Sequence, residues 1–147
     1  IDPENTSIEN GMAEDEAKEC ARYDELLEQL PRDIQLLGLG SNGHIAFNEP
    51  GTSFGSGTHV VTLAESTVKD NARLFDDISE VPRKAFTMGI RQIMQAKKIL
   101  ILASGANKAD AVYKMVKGDV TEGVPASVLQ LHPDCILIAD REAASKL

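Results

Sequence analysis

The sequence predicts an α/β fold, with a mostly parallel sheet and helices on both faces of that sheet. Three short aliphatic runs, at residues 34–39, 98–103 and 135–139, have the length and composition of buried strands. Segments with helical spacing of apolar residues lie between them, so strands and helices alternate along the chain. No repeat, low-complexity tract or linker interrupts the 147 residues. We therefore predict a single domain over residues 1–147, large enough to bury a core.

The first half of the chain is predicted to hold one long helix and two strands. Residues 1–11 are polar and are expected to form a loop. Apolar residues then recur at helical spacing over 12–30, and Pro31 ends that helix. A strand at 34–39 follows, and the run at 59–63 predicts a second, short strand.

The second half continues the alternation of strands and helices. Its most strongly apolar run, at 98–103, ends in Ser104-Gly105 and predicts a core strand. The other elements predicted here are helices at 67–74, 90–96, 107–116 and 126–131, strands at 85–88 and 135–139, and a terminal helix at 141–147.

Composition excludes several classes of function. The formal net charge of −8 argues against a protein that binds the phosphate backbone of a nucleic acid. No apolar run approaches the length of a membrane span, and the first residues show no signal-peptide pattern. Cys20 and Cys135 are far apart with no C-x-x-C motif, which predicts two reduced, packed thiols in a cytoplasmic protein. The sequence gives no support for a disulfide between them.

The stretch at 36–51 is predicted to be an active-site loop. Its apolar run breaks at two glycines, the pattern in which a buried parallel strand gives way to a ligand loop. Asn42, His44 and Glu49 follow within eight positions and supply an amide, an imidazole and a carboxylate for proton chemistry. On spacing alone, a purely structural histidine is nearly as good an interpretation.

Residues 40–54, Gly-Ser-Asn-Gly-His-Ile-Ala-Phe-Asn-Glu-Pro-Gly-Thr-Ser-Phe, resemble the signature of the glucosamine-6-phosphate deaminases, also called isomerases. Further likenesses recur in family order: Ser66-Thr67 with Asn71-Ala72-Arg73, Val81-Pro82, Thr87-Met88-Gly89-Ile90, Ala103-Ser104-Gly105 with Lys108-Ala109, and Leu129-Gln130-Leu131-His132-Pro133. The resemblance implies a Rossmann-like fold of the sugar-phosphate isomerase/deaminase type. It also implies conversion of glucosamine 6-phosphate and water to fructose 6-phosphate and ammonia, by a cytoplasmic monomer or homo-oligomer that needs no metal or organic cofactor.

The likeness begins near Asn10, and the family carries roughly ninety further residues before that point. By resemblance, those residues include a Gly-rich phosphate loop and a catalytic aspartate, and neither is among these 147 residues. We therefore expect the chain to be the C-terminal portion of a longer deaminase. Its sheet should then be incomplete on the N-terminal side, and the chain alone should have no appreciable activity.

The resemblance also assigns the acid–base residues. His44 matches the histidine that opens the sugar ring by taking and returning hydroxyl protons. Glu49 matches the carboxylate that orients and tunes this imidazole. Asn42 stands where the family often has aspartate, which predicts hydrogen bonding to His44 without added negative charge.

Arg73 and Lys108 match the phosphate-binding cations of the family. Lys108 is predicted in the first turn of a helix, where a cation opposes the helix dipole unless a bound phosphate lies beside it. The backbone groups of Gly38 and Ala46 are expected to meet the sugar. His132 is expected to have a structural role at a helix end. No metal site is predicted, because the three histidines lie 15 and 73 residues apart without a ligand motif.

Two other functions are compatible with parts of the pattern. A 6-phosphogluconolactonase-like hydrolase has a related loop, but that loop typically continues Gly-His-Thr-Ala-Ser after the strand. A non-catalytic sugar-phosphate sensor would not need both His44 and Glu49. His59 and Val61 replace the basic residues with which some family members bind an activator phosphate, which places such activation in doubt.

Overall fold

The computed structural model describes the backbone of residues 1–147 and all side chains except that of Asp70. Its strands, in chain order, are β1 (Ile34–Gly38), β2 (His59–Thr62), β3 (Lys84–Thr87), β4 (Lys98–Ala103) and β5 (Cys135–Ala139). Strands β1, β4 and β5 form a parallel sheet in the order β1-β4-β5. Strands β2 and β3 form a separate antiparallel pair, a departure from uniform parallel alternation that local spacing did not reveal.

The α-helices are α1 (Glu16–Gln29), α2 (Glu65–Asn71), α3 (Ile90–Met94) and α4 (Ala109–Lys117). Helix α1 begins later than predicted because the Asp15 side chain accepts a hydrogen bond from the Lys18 N–H at 2.9 Å and caps it. A short 3-10 turn at Ala72–Leu74 follows α2, and another at Ala106–Lys108 precedes α4. A longer 3-10 helix spans Pro125–Leu131.

The predicted terminal helix at 141–147 is wrong. These residues form successive turns, in which the Ala143 N–H donates to the Asp140 carboxylate at 2.8 Å. The Ser145 and Leu147 amides bond to carbonyls three residues back instead of joining a ladder of i−4 bonds.

The core lies on one face of the parallel sheet. Leu37, Ile99 and Ile101 are at most 6% exposed and pack with residues of α3, α4 and the 3-10 helix at Pro125–Leu131. The opposite face carries the alternate residues of the same strands, which the register places side by side. Five large aliphatic side chains on this face are 42–61% exposed: Ile34, Leu36, Leu102, Ile136 and Ile138. The second helical layer that the sequence predicts is not formed by the residues described.

Parallel pairing of β1 with β4 determines where the loops meet. The carboxyl ends of both strands lie at the same sheet edge, because Gly38 pairs with Leu102 in the register. The loop after β1 and the Ser104–Lys108 segment after β4 therefore emerge together, the usual place for a ligand in an open parallel sheet. No helix in the described part of the chain has the length and apolar character that a bilayer crossing demands.

Candidate active site

The loop after β1 turns tightly around Gly40. The Gly40 N–H donates to the His44 carbonyl at 2.9 Å, and the Gly43 N–H donates to the Gly40 carbonyl at 3.0 Å. A Cβ on Gly40 would lie only 2.4 Å from the His44 ring. The imidazole therefore lies directly against bare backbone, and glycine is needed at position 40 because any side chain would displace the ring.

A chain of hydrogen bonds runs from the His44 ring into the protein. The Asn42 Oδ1 atom lies 2.8 Å from His44 Nδ1 and also accepts the His44 backbone N–H at 3.1 Å. The Asn42 amide donates to Glu49 Oε2 at 2.8 Å, and the Thr67 hydroxyl donates to Glu49 Oε1 at 2.5 Å. Glu49 Oε2 itself is 3.6 Å from His44 Nδ1. The carboxylate thus reaches the imidazole mainly through the asparagine.

The second half of the loop is clamped to the end of β3. The buried Asn48 side chain donates to the carbonyls of Ile45 at 3.0 Å and Met88 at 2.9 Å. The Phe47 N–H donates to the Thr87 hydroxyl at 3.1 Å. Between these clamps Ala46 has a φ of 51°, a left-handed conformation that is uncommon outside glycine. Such conformations persist where surrounding contacts enforce them, and they concentrate at ligand sites.

One cleft of about 390 Å³ brings most of the predicted site residues together. Its lining includes Gly38, His44, Ala46, Arg73 and Lys108. Asn42 and Glu49 support His44 through their hydrogen bonds rather than forming part of that lining. A cavity of about 500 Å³ beside α4 and β5 has a mainly apolar lining and lies away from the loop. The smaller cleft is the better candidate because imidazole and cations converge there.

The cleft also contains residues to which the sequence gave no role. Thr67 and Asn71 lie on α2 and line the cleft beside the loop. In the sequence, this region was indicated only by the family resemblance of Ser66-Thr67 and Asn71-Ala72-Arg73. That resemblance predicted no contact with Glu49. The Thr67–Glu49 hydrogen bond is therefore a finding of the structure.

The two cations belong to two separate short turns that line the cleft. Arg73 lies in the 3-10 turn after α2, and Lys108 ends the 3-10 turn that leads directly into α4. Neither has a carboxylate oxygen within 4.0 Å among the side chains that the structure describes. Their positive charge is thus available to an anion in the cleft.

The segment that carries Lys108 is held by Asp140. The Asp140 carboxylate accepts hydrogen bonds from the Ser104 hydroxyl at 2.6 Å and the Gly105 N–H at 2.9 Å. The Ser104 hydrogen bond, joined by the N–H groups of Ala143 and Gly105, holds the pKa of the Asp140 carboxyl below its ordinary value. This anchor fixes the turn before α4 at the edge of the cleft.

The other histidines and the cysteines lie outside this chemistry. The His132 Nδ1 atom accepts the Asp134 N–H at 3.1 Å, so Nε2 carries the proton and donates to the Ala96 carbonyl at 2.8 Å. The predicted structural role of His132 is confirmed. Cys20 and Cys135 are both unpaired thiols. Within the described part of the chain, no three His, Cys, Asp or Glu residues are grouped so that they could hold a metal ion.

Comparisons with known proteins show the family to which the chain belongs. The sequence model of the family described as glucosamine-6-phosphate isomerases/6-phosphogluconolactonase matches residues 2–137. A glucosamine-6-phosphate deaminase of Lactobacillus johnsonii is 59% identical over 140 residues, which are 95% of this chain and 59% of that protein. A deaminase of the same name from Clostridioides difficile is 55% identical over 148 aligned positions, covering 100% of this chain and 59% of the relative.

Solved structures show the same fold. A monomeric glucosamine-6-phosphate deaminase superposes with a TM-score of 0.96 at 55% identity, over 99% of this chain and 61% of the other. The 6-phosphogluconolactonase of Trypanosoma brucei has a TM-score of 0.67 at 23% identity, over 94% and 57% of the two chains, which shows a shared fold alone. The chain thus spans about three fifths of the length of the curated relatives it matches.

Proposed function

Since the chain belongs to the glucosamine-6-phosphate isomerase/6-phosphogluconolactonase family, we propose that its protein converts glucosamine 6-phosphate and water to fructose 6-phosphate and ammonia. The observation that carries the proposal is the cleft itself. It joins His44, supported by Asn42 and Glu49, to the cations Arg73 and Lys108 in one polar space. An imidazole next to two available cations is suited to proton transfer on a phosphorylated sugar.

The two parts of the cleft have separate tasks in this reaction. Arg73 and Lys108 bind the phosphate of the substrate and so hold the sugar in register. His44 moves a proton from the anomeric hydroxyl to the ring oxygen while the bond between C1 and that oxygen breaks. The backbone of Gly38 and Ala46, which lines the same cleft, contacts the sugar hydroxyls.

The later steps need a second acid–base group. Loss of a proton from C2 of the open chain gives an enolamine, and protonation of this enolamine at C1 gives an imine at C2. Water then hydrolyses the imine, so that ammonia leaves and a ketone remains. We assign the C2 base to sequence that the longer relatives possess and that the 147 residues described do not contain. The chain alone should therefore have no appreciable turnover.

The exposed sheet face supports the proposal that this domain is the C-terminal portion of a longer chain. Parallel sheets are almost always covered on both faces. Leu36 and Ile138 are 58% and 54% exposed on the open face, and Leu102 is 44% exposed. Full burial of such a side chain contributes roughly 1.5–3 kcal/mol. A further segment of the protein that covered this face would add substantial stability to the fold.

The charge of the protein fits a small anionic substrate bound by local cations, and we propose that the enzyme acts in amino-sugar breakdown in the cytoplasm. A net charge of −8 does not favour a nucleic acid as partner. A 6-phosphogluconolactonase is the alternative within the family. Its reaction would not require the Asn42–Glu49 support that the loop builds around His44.

The test is product formation by the full-length protein that carries this sequence. Equal amounts of ammonia and fructose 6-phosphate released from glucosamine 6-phosphate would support the proposal. Hydrolysis of 6-phosphogluconolactone without ammonia release would replace it with the lactonase. Saturable binding of glucosamine 6-phosphate with no product would indicate a sensor.

A further inference from the structure

We propose that Thr67 is a positioning residue that, through Glu49 and Asn42, fixes which nitrogen of the His44 ring carries a proton. The inference rests on the proposed function for its kinetic consequence, but its structural content can be measured without turnover. Its basis is the unbroken chain of hydrogen bonds from α2 to the imidazole.

Glu49 is held at both of its oxygens. The Thr67 hydroxyl donates to Oε1 at 2.5 Å, and the Asn42 amide donates to Oε2 at 2.8 Å. Thr67 is only 2% exposed, and the Glu49 side chain is 12% exposed, so water competes little for these bonds. Hydrogen bonds to an ionised carboxylate are about twice as strong as neutral ones. The Thr67 bond therefore determines the rotation of the carboxylate.

Glu49 in turn determines the orientation of the Asn42 amide. The oxygen and nitrogen ends of an asparagine amide have nearly the same shape, so only their partners distinguish them. An ionised carboxylate accepts hydrogen bonds and donates none, so the NH2 group of Asn42 must face Glu49. The amide oxygen then faces His44 and accepts its backbone N–H as well.

The amide orientation fixes the tautomer of the imidazole. The Asn42 Oδ1 atom accepts only, and it lies 2.8 Å from His44 Nδ1. Nδ1 must therefore carry the hydrogen, and the lone pair of the neutral ring is on Nε2. If the amide turned over, its NH2 group would face Nδ1 and favour the opposite tautomer.

We call the hydrogen-bonded series Thr67–Glu49–Asn42–His44 the relay. The relay is particularly important because residue 42 is asparagine. An aspartate at this position would accept at both oxygens and would hold a proton on Nδ1 whatever its rotation. Asparagine does so only while its NH2 end is held by Glu49. In serine-protease triads, the wrong histidine tautomer lowers kcat by about 10⁴-fold. Loss of one support in a relay should have a smaller effect.

The experiment compares Thr67→Val with Thr67→Ser in the full-length protein. Valine has nearly the shape of threonine but cannot donate, whereas serine keeps the hydroxyl. We expect Thr67→Val to lower kcat by about 10- to 100-fold with little change in KM, and Thr67→Ser to restore most of kcat. The 15N chemical shifts of the His44 ring should show one Nδ1–H tautomer in the wild type and a mixture in Thr67→Val.

A second variant removes dependence on the relay. Asn42→Asp should keep the Nδ1–H tautomer even when combined with Thr67→Val, so the fall in kcat caused by Thr67→Val should be smaller in that background. Glu49→Gln, which can donate as well as accept, should mix the tautomers if Thr67→Val does not fold. A single Nδ1–H tautomer in both Thr67→Val and Glu49→Gln would overturn the proposal. Failure of the deamination assay in the wild type would contradict the proposed function and leave this spectroscopic test intact.

Discussion

The histidine end and the cation end of the cleft are built on different principles. At the histidine end, His44 and Glu49 side chains are only 17% and 12% exposed, and hydrogen bonds fix their positions. At the cation end, Arg73 is exposed and Lys108 half-buried, with no carboxylate within 4.0 Å among the described side chains. Proton transfer demands a fixed donor and acceptor, whereas phosphate binding demands charge that is not already neutralised.

The largest expected effect separates the two ends directly. His44→Asn in the full-length protein should lower kcat for deamination by about 10²- to 10⁴-fold, because it removes the group to which we assign transfer of the ring-opening proton. The KM should change little, since the proposed function assigns phosphate binding to Arg73 and Lys108. Steady-state kinetics with an ammonia-coupled assay measures both parameters. If binding of the sugar phosphate collapsed together with kcat, His44 would be a substrate anchor or a structural residue.

A smaller loss should follow from moving the imidazole without removing it. Gly40→Ala places a Cβ 2.4 Å from the present ring position, so the ring must shift from its place against the backbone. We expect kcat to fall by about tenfold or more, since a misplacement of about 1 Å costs on the order of 10²-fold in a positioned reaction. Gly55→Ala is the matched control, because the nearest atom to its added Cβ would be the Ser53 Oγ atom, 3.9 Å away. Equal activity of both variants would contradict the close packing.

At the cation end the expected effect is on affinity. Lys108→Met keeps most of the length of the side chain and removes its charge, so KM for glucosamine 6-phosphate should rise about 10- to 100-fold with a smaller change in kcat. Lys117→Met, an exposed position farther along α4, is the control and should leave KM unchanged. A fall in kcat at unchanged KM would place Lys108 in the proton chemistry instead.

The same contrast explains what the sequence could predict. His44 and Glu49 are five positions apart within one loop, so local spacing and family likeness could single out both as candidates. Thr67 reaches Glu49 from a helix eighteen residues away, and only the packing of α2 against the loop shows that contact. The strands at 98–103 and 135–139 were predicted with their observed bounds because aliphatic runs report burial. From such runs we predicted helices on both faces of the sheet. The periodicity of a strand does not tell which of its two faces the described residues cover.

The pairing of β2 with β3 could not be predicted from the sequence of either strand, for a related reason. Each strand was located to within one residue at either end by its own composition. Their antiparallel register joins His59 to Thr87 across a segment that contains α2, and no pattern within either strand encodes that partner. The cation end depends on the same long-range arrangement, because Arg73 lies within that segment.

The smallest expected effect concerns the anchor of the cation end and depends on pH. The pKa of the folded Asp140 carboxyl lies below its unfolded value of 3.8, chiefly because the Ser104 hydroxyl donates to the carboxylate. The ionised form therefore stabilises the fold above pH 3.8, and this contribution is lost as pH falls through the lower folded pKa. Asp140→Asn should lower the thermal unfolding midpoint modestly at pH 7.

The difference in midpoint between Asp140→Asn and the wild type should shrink steadily below pH 3.8, because the wild-type carboxylate is then being protonated as well. Asp119→Asn, at an exposed position outside this turn, is the control and should follow the wild type throughout. Because the Ser104–Gly105 segment leads to Lys108, we also expect Asp140→Asn to raise KM by less than about tenfold at pH 7. A change in kcat instead would mean that the anchor serves the histidine end, and the two ends would then not be independent.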